Sequence, residues 1–129
     1  MKDFRDLKVW QRAHQITLAI YRSTRNFPRE ETYGMVSQLR GCSSSVAANI
    51  AEGCGRSGNA EFGRFLTVAM GSASELEYLL LLARDLAYLS RENHEAVAQD
   101  VGEMRRMLNR LLSKVQAERG SKPLLSAKC

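Results

Sequence analysis

The sequence is short of the features that mark secreted, metal-binding and membrane proteins. Its three cysteines, Cys42, Cys54 and Cys129, include no C-x-x-C pair, so we expect neither a disulfide framework nor a zinc site. Cys42 and Cys54 are instead predicted to be small buried side chains. No run of about 18 apolar residues occurs, and residues 1–10 lack the apolar core of a signal peptide. We therefore expect a cytoplasmic protein without a membrane-spanning segment.

Catalytic and metal-binding motifs are also missing. The residues three positions before His14 and His94 are Gln11 and Arg91, so neither histidine completes the Glu-x-x-His motif of di-iron bundles. The chain has no G-x-S-x-G elbow, no H-E-x-x-H motif and no P-loop. We expect no enzymatic activity, no cofactor and no metal, and we expect both histidines to be solvated or half-buried helix residues.

Proline and glycine are scarce enough to leave room for long helices, with two prolines and nine glycines in 129 residues. Apolar residues recur every three or four positions in four segments, and we find no convincing strand. In the first segment the predicted core face includes Trp10 and Thr17. The predicted segment boundaries are Asp6 to Pro28, Glu30 or Glu31 to Gly55, Asn59 to Leu89, and Ser90 to Gly120.

Four amphipathic helices joined by short loops are typical of a helical bundle. The pattern predicts one all-α domain over residues 1–120, an antiparallel up-down-up-down four-helix bundle. Residues 121–129 have no clear periodicity, and we expect them to form a flexible tail.

Three glycines in the stretch NIAEGCGRSG have the G-x-G-x-x-G spacing of a dinucleotide-binding loop. That loop follows a strand, whereas here a helix precedes Gly53 and another helix begins near Asn59. We therefore interpret the stretch as a turn between two helices. Gly53 and Gly55 are predicted to supply left-handed backbone at a helix end, and Gly58 with Asn59 to begin the next helix.

Polar residues interrupt the apolar faces of the second and third helices. The set consists of Ser45, Asn49, Glu52 and Arg56 on the second helix and of Ser72, Ser74 and Glu75 on the third. We favour a hydrogen-bond network between the two helices over a ligand cleft. Polar groups in the middle of a bundle need partners whether or not a ligand binds.

The formal net charge of +5 is unevenly distributed. Residues 1–29 carry seven basic and two acidic side chains, and no acidic residue lies between Lys8 and Arg29. A solvated helix exterior is the simplest interpretation, but such a face repels itself unless a polyanion is near, and phosphate backbone is the commonest such partner. The predicted nucleic-acid contacts are Lys8, Arg12, Arg22, Arg25, Arg29, Arg106, Arg110 and Lys114.

The third helix has more apolar surface than one core face requires. Beside the main apolar face, Val68, Leu79, Leu82 and Leu86 form a second flank. We expect self-association through this flank. The alternative is a wide core face that the Pro-Leu-Leu stretch in residues 121–129 covers.

Several motifs resemble one bacterial protein family. FRDLKVWQRAHQ, then FPREETYGMVSQLRGCSSSVAANIAEGCGR, then EFGRFLTVAMGSASELEYLLLLARDLAYL are similar to the four-helix-bundle proteins encoded in intervening sequences of large-subunit ribosomal RNA genes. The resemblance covers residues 3–90 by motif and the fourth helix by pattern only. A more distant member is the accessory variability protein of diversity-generating retroelements.

The resemblance implies a homopentameric bundle without catalytic activity. In the retroelement branch it also implies a basic surface that binds nucleic acid and a reverse transcriptase. The alternative function is therefore a scaffold for a protein partner such as a reverse transcriptase, without nucleic-acid contact. The family signature residues are Arg40, Asn49, Glu52, Gly53, Arg56, Ser72 and Glu75, and all of them except Gly53 are expected in a structural polar network. Gly41 departs from the family pattern, which often has a second basic residue there.

Overall fold

The structure, a computed structural model, describes residues 3–119. Within that range the chain forms four long α-helices and no strand. The helices are α1 (Lys8–Ser23), α2 (Met35–Cys54), α3 (Asn59–Asp85) and α4 (Arg91–Arg119). Short 3₁₀ turns lie at Phe4–Asp6, Thr24–Asn26 and Arg29–Glu31. The predicted all-α four-helix class is confirmed, while the predicted stop at Gly120 and the tail over residues 121–129 lie outside the described residues.

In contacts between consecutive helices, residue numbers rise along one helix as they fall along the next. This is the order expected of antiparallel neighbours. The pairs are Thr17–Ser43 and Thr24–Arg40 between α1 and α2, Ser45–Ser72 and Gly53–Phe62 between α2 and α3, and Glu77–Arg105 and Gly63–Val115 between α3 and α4. An ion pair between Arg12 and Glu103 places α4 beside α1, so each helix contacts the next and the ring of four closes.

The core runs through the middle of this ring. Every helix contributes fully enclosed side chains to it, among them Ile20, Leu39, Leu66, Leu76 and Leu108, each at most 1% exposed. Burying this apolar surface is the main force that holds helices of this length together.

The core face of α1 differs from the predicted face. Val9 and Ile16 are buried, whereas Trp10 and Thr17 are half-buried at the edge of the helix facing α2. The hydroxyl of Thr17 accounts for its position, because it donates to the Ser43 carbonyl oxygen at 3.1 Å. An indole carries a polar N–H, which also favours the edge of a core over its centre.

Helix starts are capped in part as expected. The N–H of Asn93 donates to Ser90 Oγ at 3.0 Å, which confirms the predicted cap of α4. Asp6 lies in the 3₁₀ turn before α1, and no side-chain cap precedes that helix. Asn59 is the first residue of α3 rather than its cap, and its side-chain amide donates to Glu118 at 3.4 Å.

Gly58 directly precedes α3, as predicted, but Gly53 and Gly55 of NIAEGCGRSG do not supply the predicted left-handed backbone. Gly58 has a φ of 93°, but Gly53 lies inside α2 and Gly55 has a φ of −81°. Gly53 is needed for space, because a Cβ there would lie 2.8 Å from Cδ1 of Phe62. The absence of a side chain at Gly53 lets α2 approach α3 closely.

The end of α3 comes earlier than the predicted Leu89. The helix ends at Asp85, and Ala87 adopts a φ of 64° in the left-handed region. The Tyr88 N–H donates to the Ala83 carbonyl and the Ala87 N–H to the Arg84 carbonyl, both at 2.9 Å. These two bonds form a Schellman motif, which reverses the chain before α4.

By length and composition alone, α3 is apolar enough to cross a membrane, with 27 residues and a mean hydropathy of 1.3 in its most apolar window. In the fold its buried side chains face α2 and α4, which is the position of a core helix in a bundle. Only 39% of that window is buried inside the chain, so apolar side chains also remain on the outer side of α3.

Gly53→Ala should lower the free energy of unfolding by about 1–3 kcal/mol, because the added methyl group overpacks the contact with Phe62. The matched control is Gly41→Ala on the same helix, where an added Cβ meets nothing within 4 Å. This control should raise the free energy of unfolding by about 0.5–1 kcal/mol through helix propensity. Urea denaturation followed by circular dichroism measures both, and stabilisation of both variants would contradict the close approach of α2 to α3.

Candidate nucleic-acid interface

Seven of the eight side chains predicted to contact nucleic acid fall into two groups at different levels along the bundle axis. One group consists of Lys8, Arg106, Arg110 and Lys114, and the other consists of Arg22, Arg25 and Arg29. The Arg12–Glu103 pair sets the first half of α1 beside the middle of α4, and Arg22, Arg25 and Arg29 lie farther along the chain from this pair. Lys8 and Arg22 are about 21 Å apart along the axis of α1.

Arg12, the eighth residue, is already neutralised. Its guanidinium pairs with the Glu103 carboxylate, and its side chain is 32% exposed. Arg12 therefore fixes α1 against α4 and does not belong to a free basic surface. The other seven basic side chains form no ion pair with residues 3–119.

Arg25 and Arg29 share a cleft with a third arginine, Arg40. The cleft has a volume of about 560 Å³ and lies between the end of α1 and the start of α2. Its lining residues in the described chain are Thr24, Arg25, Asn26, Phe27, Arg29, Thr32, Val36 and Arg40. Three arginines and no acidic residue therefore line one concave surface.

Arg40 is held in place by the end of α1. Its Nε donates to Thr24 Oγ1 at 2.9 Å, and one terminal nitrogen donates to the Tyr21 carbonyl at 3.2 Å. The guanidinium also lies over the Tyr21 ring, 4.6 Å from its centroid. These contacts fix the orientation of the guanidinium, so Arg40 loses little further freedom if it binds an anion.

Of the two glutamates that follow Arg29 in the chain, Glu30 is exposed and Glu31 is engaged elsewhere. Glu31 accepts a hydrogen bond from the Tyr88 hydroxyl at 3.0 Å and another from the Met35 N–H at 3.1 Å. The first bond ties the start of α2 to the turn after α3, and the second satisfies an N–H of the first turn of α2. Glu31 thus stabilises the frame of the cleft instead of neutralising its arginines.

The predicted polar network is smaller than expected. Ser45 and Ser72 share a hydrogen bond of 2.9 Å between α2 and α3, and the Asn49 side chain donates to Ser45 Oγ at 3.0 Å. Glu52 and Arg56 form a separate exposed ion pair at the end of α2.

Three other residues assigned to that network lie apart from it. Arg40 belongs to the arginine cleft, and Ser74 lies on the side of α3 near His94. Glu75 is exposed and forms no hydrogen bond or ion pair with residues 3–119. The network between α2 and α3 is therefore confined to Ser45, Asn49 and Ser72.

The second apolar flank of α3 is only partly on the surface. Val68 and Leu86 are 45% and 47% exposed, but Leu79 is 5% exposed and belongs to the core. Leu82 is half-buried against the core. Leu79 is therefore unavailable for a contact between subunits, whereas Tyr78, which the pattern missed, is 59% exposed.

The cysteines are placed as small core residues rather than as nucleophiles. Cys42 and Cys54 are both buried, as predicted, while Cys129 lies outside the described residues. Burial, and to a smaller extent the nearby Glu75 carboxylate, raises the pKa of the Cys42 thiol to about 12. A reactive cysteine requires a lowered pKa, so Cys42 lacks the property that nucleophilic catalysis needs.

The two histidines have unrelated surroundings. His14 is exposed and stacks on Trp10, with ring centroids 5.0 Å apart and planes 8° apart. His94 is half-buried between α3 and α4, beside Ser74, Tyr78 and Leu81. Within residues 3–119, no group of three or more His, Cys, Asp or Glu side chains is arranged to hold a metal ion.

A crystal structure at 1.70 Å of a Bacteroides thetaiotaomicron protein of unknown function, from the S23 ribosomal protein family, matches with a TM-score of 0.76. The two chains are 25% identical over 81% of this chain and 95% of that one. No curated protein matches this chain.

The sequence profile of a bacterial family matches residues 5–110, which include α1, α2, α3 and most of α4. The matched range contains the arginine cleft and the hydrogen bonds between α2 and α3. The chain therefore belongs to the 23S rRNA-intervening sequence protein family.

Proposed function

We propose that the chain is a non-enzymatic, homo-oligomeric bundle that binds nucleic acid through phosphate contacts with little sequence preference. The observation that carries this proposal is the arginine cleft. Arg25, Arg29 and Arg40 line one concave surface without a carboxylate among its lining residues, while Arg12 is neutralised by a partner on α4.

Phosphate fits the chemistry of this cleft. A guanidinium presents paired N–H donors that match the oxygens of a phosphate, and it is more weakly hydrated than an ammonium group. The side-chain amide of Asn26 adds neutral donors to the lining, whereas the Thr32 hydroxyl donates to the Arg29 carbonyl at 2.7 Å. Neutral groups of this kind also contact phosphate and sugar in protein–nucleic-acid complexes.

Low sequence preference follows from what the cleft offers. Contacts to phosphate position a protein on nucleic acid but carry no base information. Because this binding releases counterions, we expect its affinity to fall steeply with salt. Lys8, Arg106, Arg110 and Lys114 are about 20 Å or more away and form a second, weaker contact region in this proposal.

Self-association is supported by the outer side of α3. Val68, Tyr78 and Leu86 are large and exposed, and together with Leu82 they lie on one side of the helix at 100° per residue. An assembly that covers this side presents several arginine clefts at once, and repeated sites raise affinity for a long polyanion. We propose a homopentamer, the assembly that the family resemblance implies.

Reversing the charge of the cleft should weaken binding more than reversing the same charge elsewhere. The test variant is Arg25→Glu with Arg29→Glu, and the matched control is Arg106→Glu with Arg110→Glu. Fluorescence anisotropy with a labelled oligonucleotide should show at least about a tenfold loss for the test variant, which is about 1.4 kcal/mol. The slope of log affinity against log salt should fall by about 2, one for each phosphate contact removed.

Two results would contradict this part of the proposal. Equal losses for the test and control variants would mean that affinity follows net charge instead of the cleft. No binding by the unaltered protein at low salt would remove nucleic acid as the partner, and a scaffold for another protein would then be the better explanation.

The oligomer should dissociate when its proposed interface is charged. Val68→Glu with Leu86→Glu should lower the mass measured by light scattering to the 14.5 kDa of one chain. Tyr33→Glu, at a side chain that is 95% exposed in the turn before α2, is the control and should leave the mass unchanged. A mass of 14.5 kDa for the unaltered protein at high concentration would contradict self-association.

A further inference from the structure

Three aromatic rings form an ordered series at the start of α1. The Phe4 ring meets the Trp10 ring edge-on, with centroids 4.9 Å apart and planes at 63°. Trp10 in turn stacks on His14 with nearly parallel rings. Trp10 is half-buried and packs against the core, whereas His14 is exposed. Packing against the core therefore fixes the Trp10 ring, and stacking on Trp10 orients the His14 imidazole ring at the surface.

The outer face of the His14 ring is available to a ligand. Trp10 is its one ring partner among the described residues, and it covers one face of the imidazole. An exposed histidine gains little for the fold by keeping a fixed ring plane. A fixed, flat and half-open aromatic pair is, however, the arrangement on which a nucleobase stacks.

This aromatic pair lies in line with the arginine cleft. At 100° per residue, Trp10, His14 and Tyr21 fall within a sector of about 40° on α1, and Arg25 follows in the 3₁₀ turn after that helix. The Tyr21 ring is 42% exposed and carries the Arg40 guanidinium on one face. The axial distance from His14 to Arg25 is about 16 Å, roughly the length of five stacked nucleotides. Stacking groups and phosphate-binding groups therefore follow one another along a single track.

We propose that this track binds single-stranded nucleic acid, with a base stacked on the Trp10–His14 pair and the backbone running along α1 into the arginine cleft. The inference rests on the proposed function and names its substrate class. In a duplex the bases are paired and stacked on one another, so their faces are not available to an aromatic side chain. A duplex therefore contacts only the arginines, whereas a single strand contacts both the aromatic pair and the arginines.

The fluorescence of Trp10 reports directly on this site, because the sequence contains one tryptophan. The full chain is titrated at low salt with a thymidine homopolymer, with an abasic strand of the same number of phosphates, and with a duplex of the same length. The thymidine strand should quench Trp10 and bind at least about fivefold more tightly than the abasic strand, since stacking adds to the phosphate contacts. The abasic strand and the duplex should bind without quenching.

Variants of His14 separate stacking from charge. His14→Ala should reduce binding of the thymidine strand to the level of the abasic strand and leave abasic binding unchanged. His14→Phe retains a flat ring, and this variant should again bind the thymidine strand more tightly than the abasic strand. Gln15→Ala, at the neighbouring exposed position, is the control and should bind like the unaltered protein.

Three outcomes would overturn the inference. Equal binding of the thymidine and abasic strands without a fluorescence change would remove base stacking and leave the proposed function standing. Failure of all three ligands to bind at low salt would overturn both proposals together. A Trp10 fluorescence change that depends on protein concentration alone would show that a second copy of the chain covers the track.

Discussion

The close approach of α2 to α3 is the constraint on which the rest of the structure depends. A glycine at position 53 and a hydrogen bond between Ser45 and Ser72 define both the distance and the register of the two helices. A shift of α2 by one turn would move it about 5.4 Å along its axis. That shift would separate the two serines, and it would carry Arg40 away from Thr24 and Tyr21. The packing of α2 against α3 therefore determines the position of Arg40, and with it the geometry of the arginine cleft between α1 and α2.

The distribution of charge follows from which helices are neighbours. Acidic side chains of α3 and α4 pair with basic side chains on adjacent helices, as in Glu103 with Arg12 and Glu77 with Arg105. No such partner reaches Arg22, Arg25 or Arg29 from the described residues. Arg22, Arg25, Arg29 and Arg40 therefore form a local group of basic side chains, at the end of α1 and the start of α2, that no ion pair among the described residues neutralises. Local concentration of this kind favours a polyanion more than the overall charge does.

Properties that depend on local periodicity could be predicted from the sequence, whereas properties that depend on helix neighbours could not. Four helices, the Ser90 cap and the burial of Cys42 all follow from residue type and spacing. The pairing of Arg12 joins residues 91 positions apart, so nothing near Arg12 indicates it. The left-handed conformation of Ala87, which ends α3, is unusual for a residue with a side chain. The position of Trp10 and His14 four residues apart was visible, but only the structure shows that their rings are parallel.

The central claim is that nucleic acid contacts α1 while the outer side of α3 serves self-association. Photo-cross-linking tests it most directly, using the full chain with a single strand that carries 4-thiothymidine, followed by mass spectrometry of tryptic peptides. The expected adducts lie on residues 9–22, which include the aromatic pair and Tyr21. Adducts concentrated on residues 65–84 of α3 instead would contradict the claim.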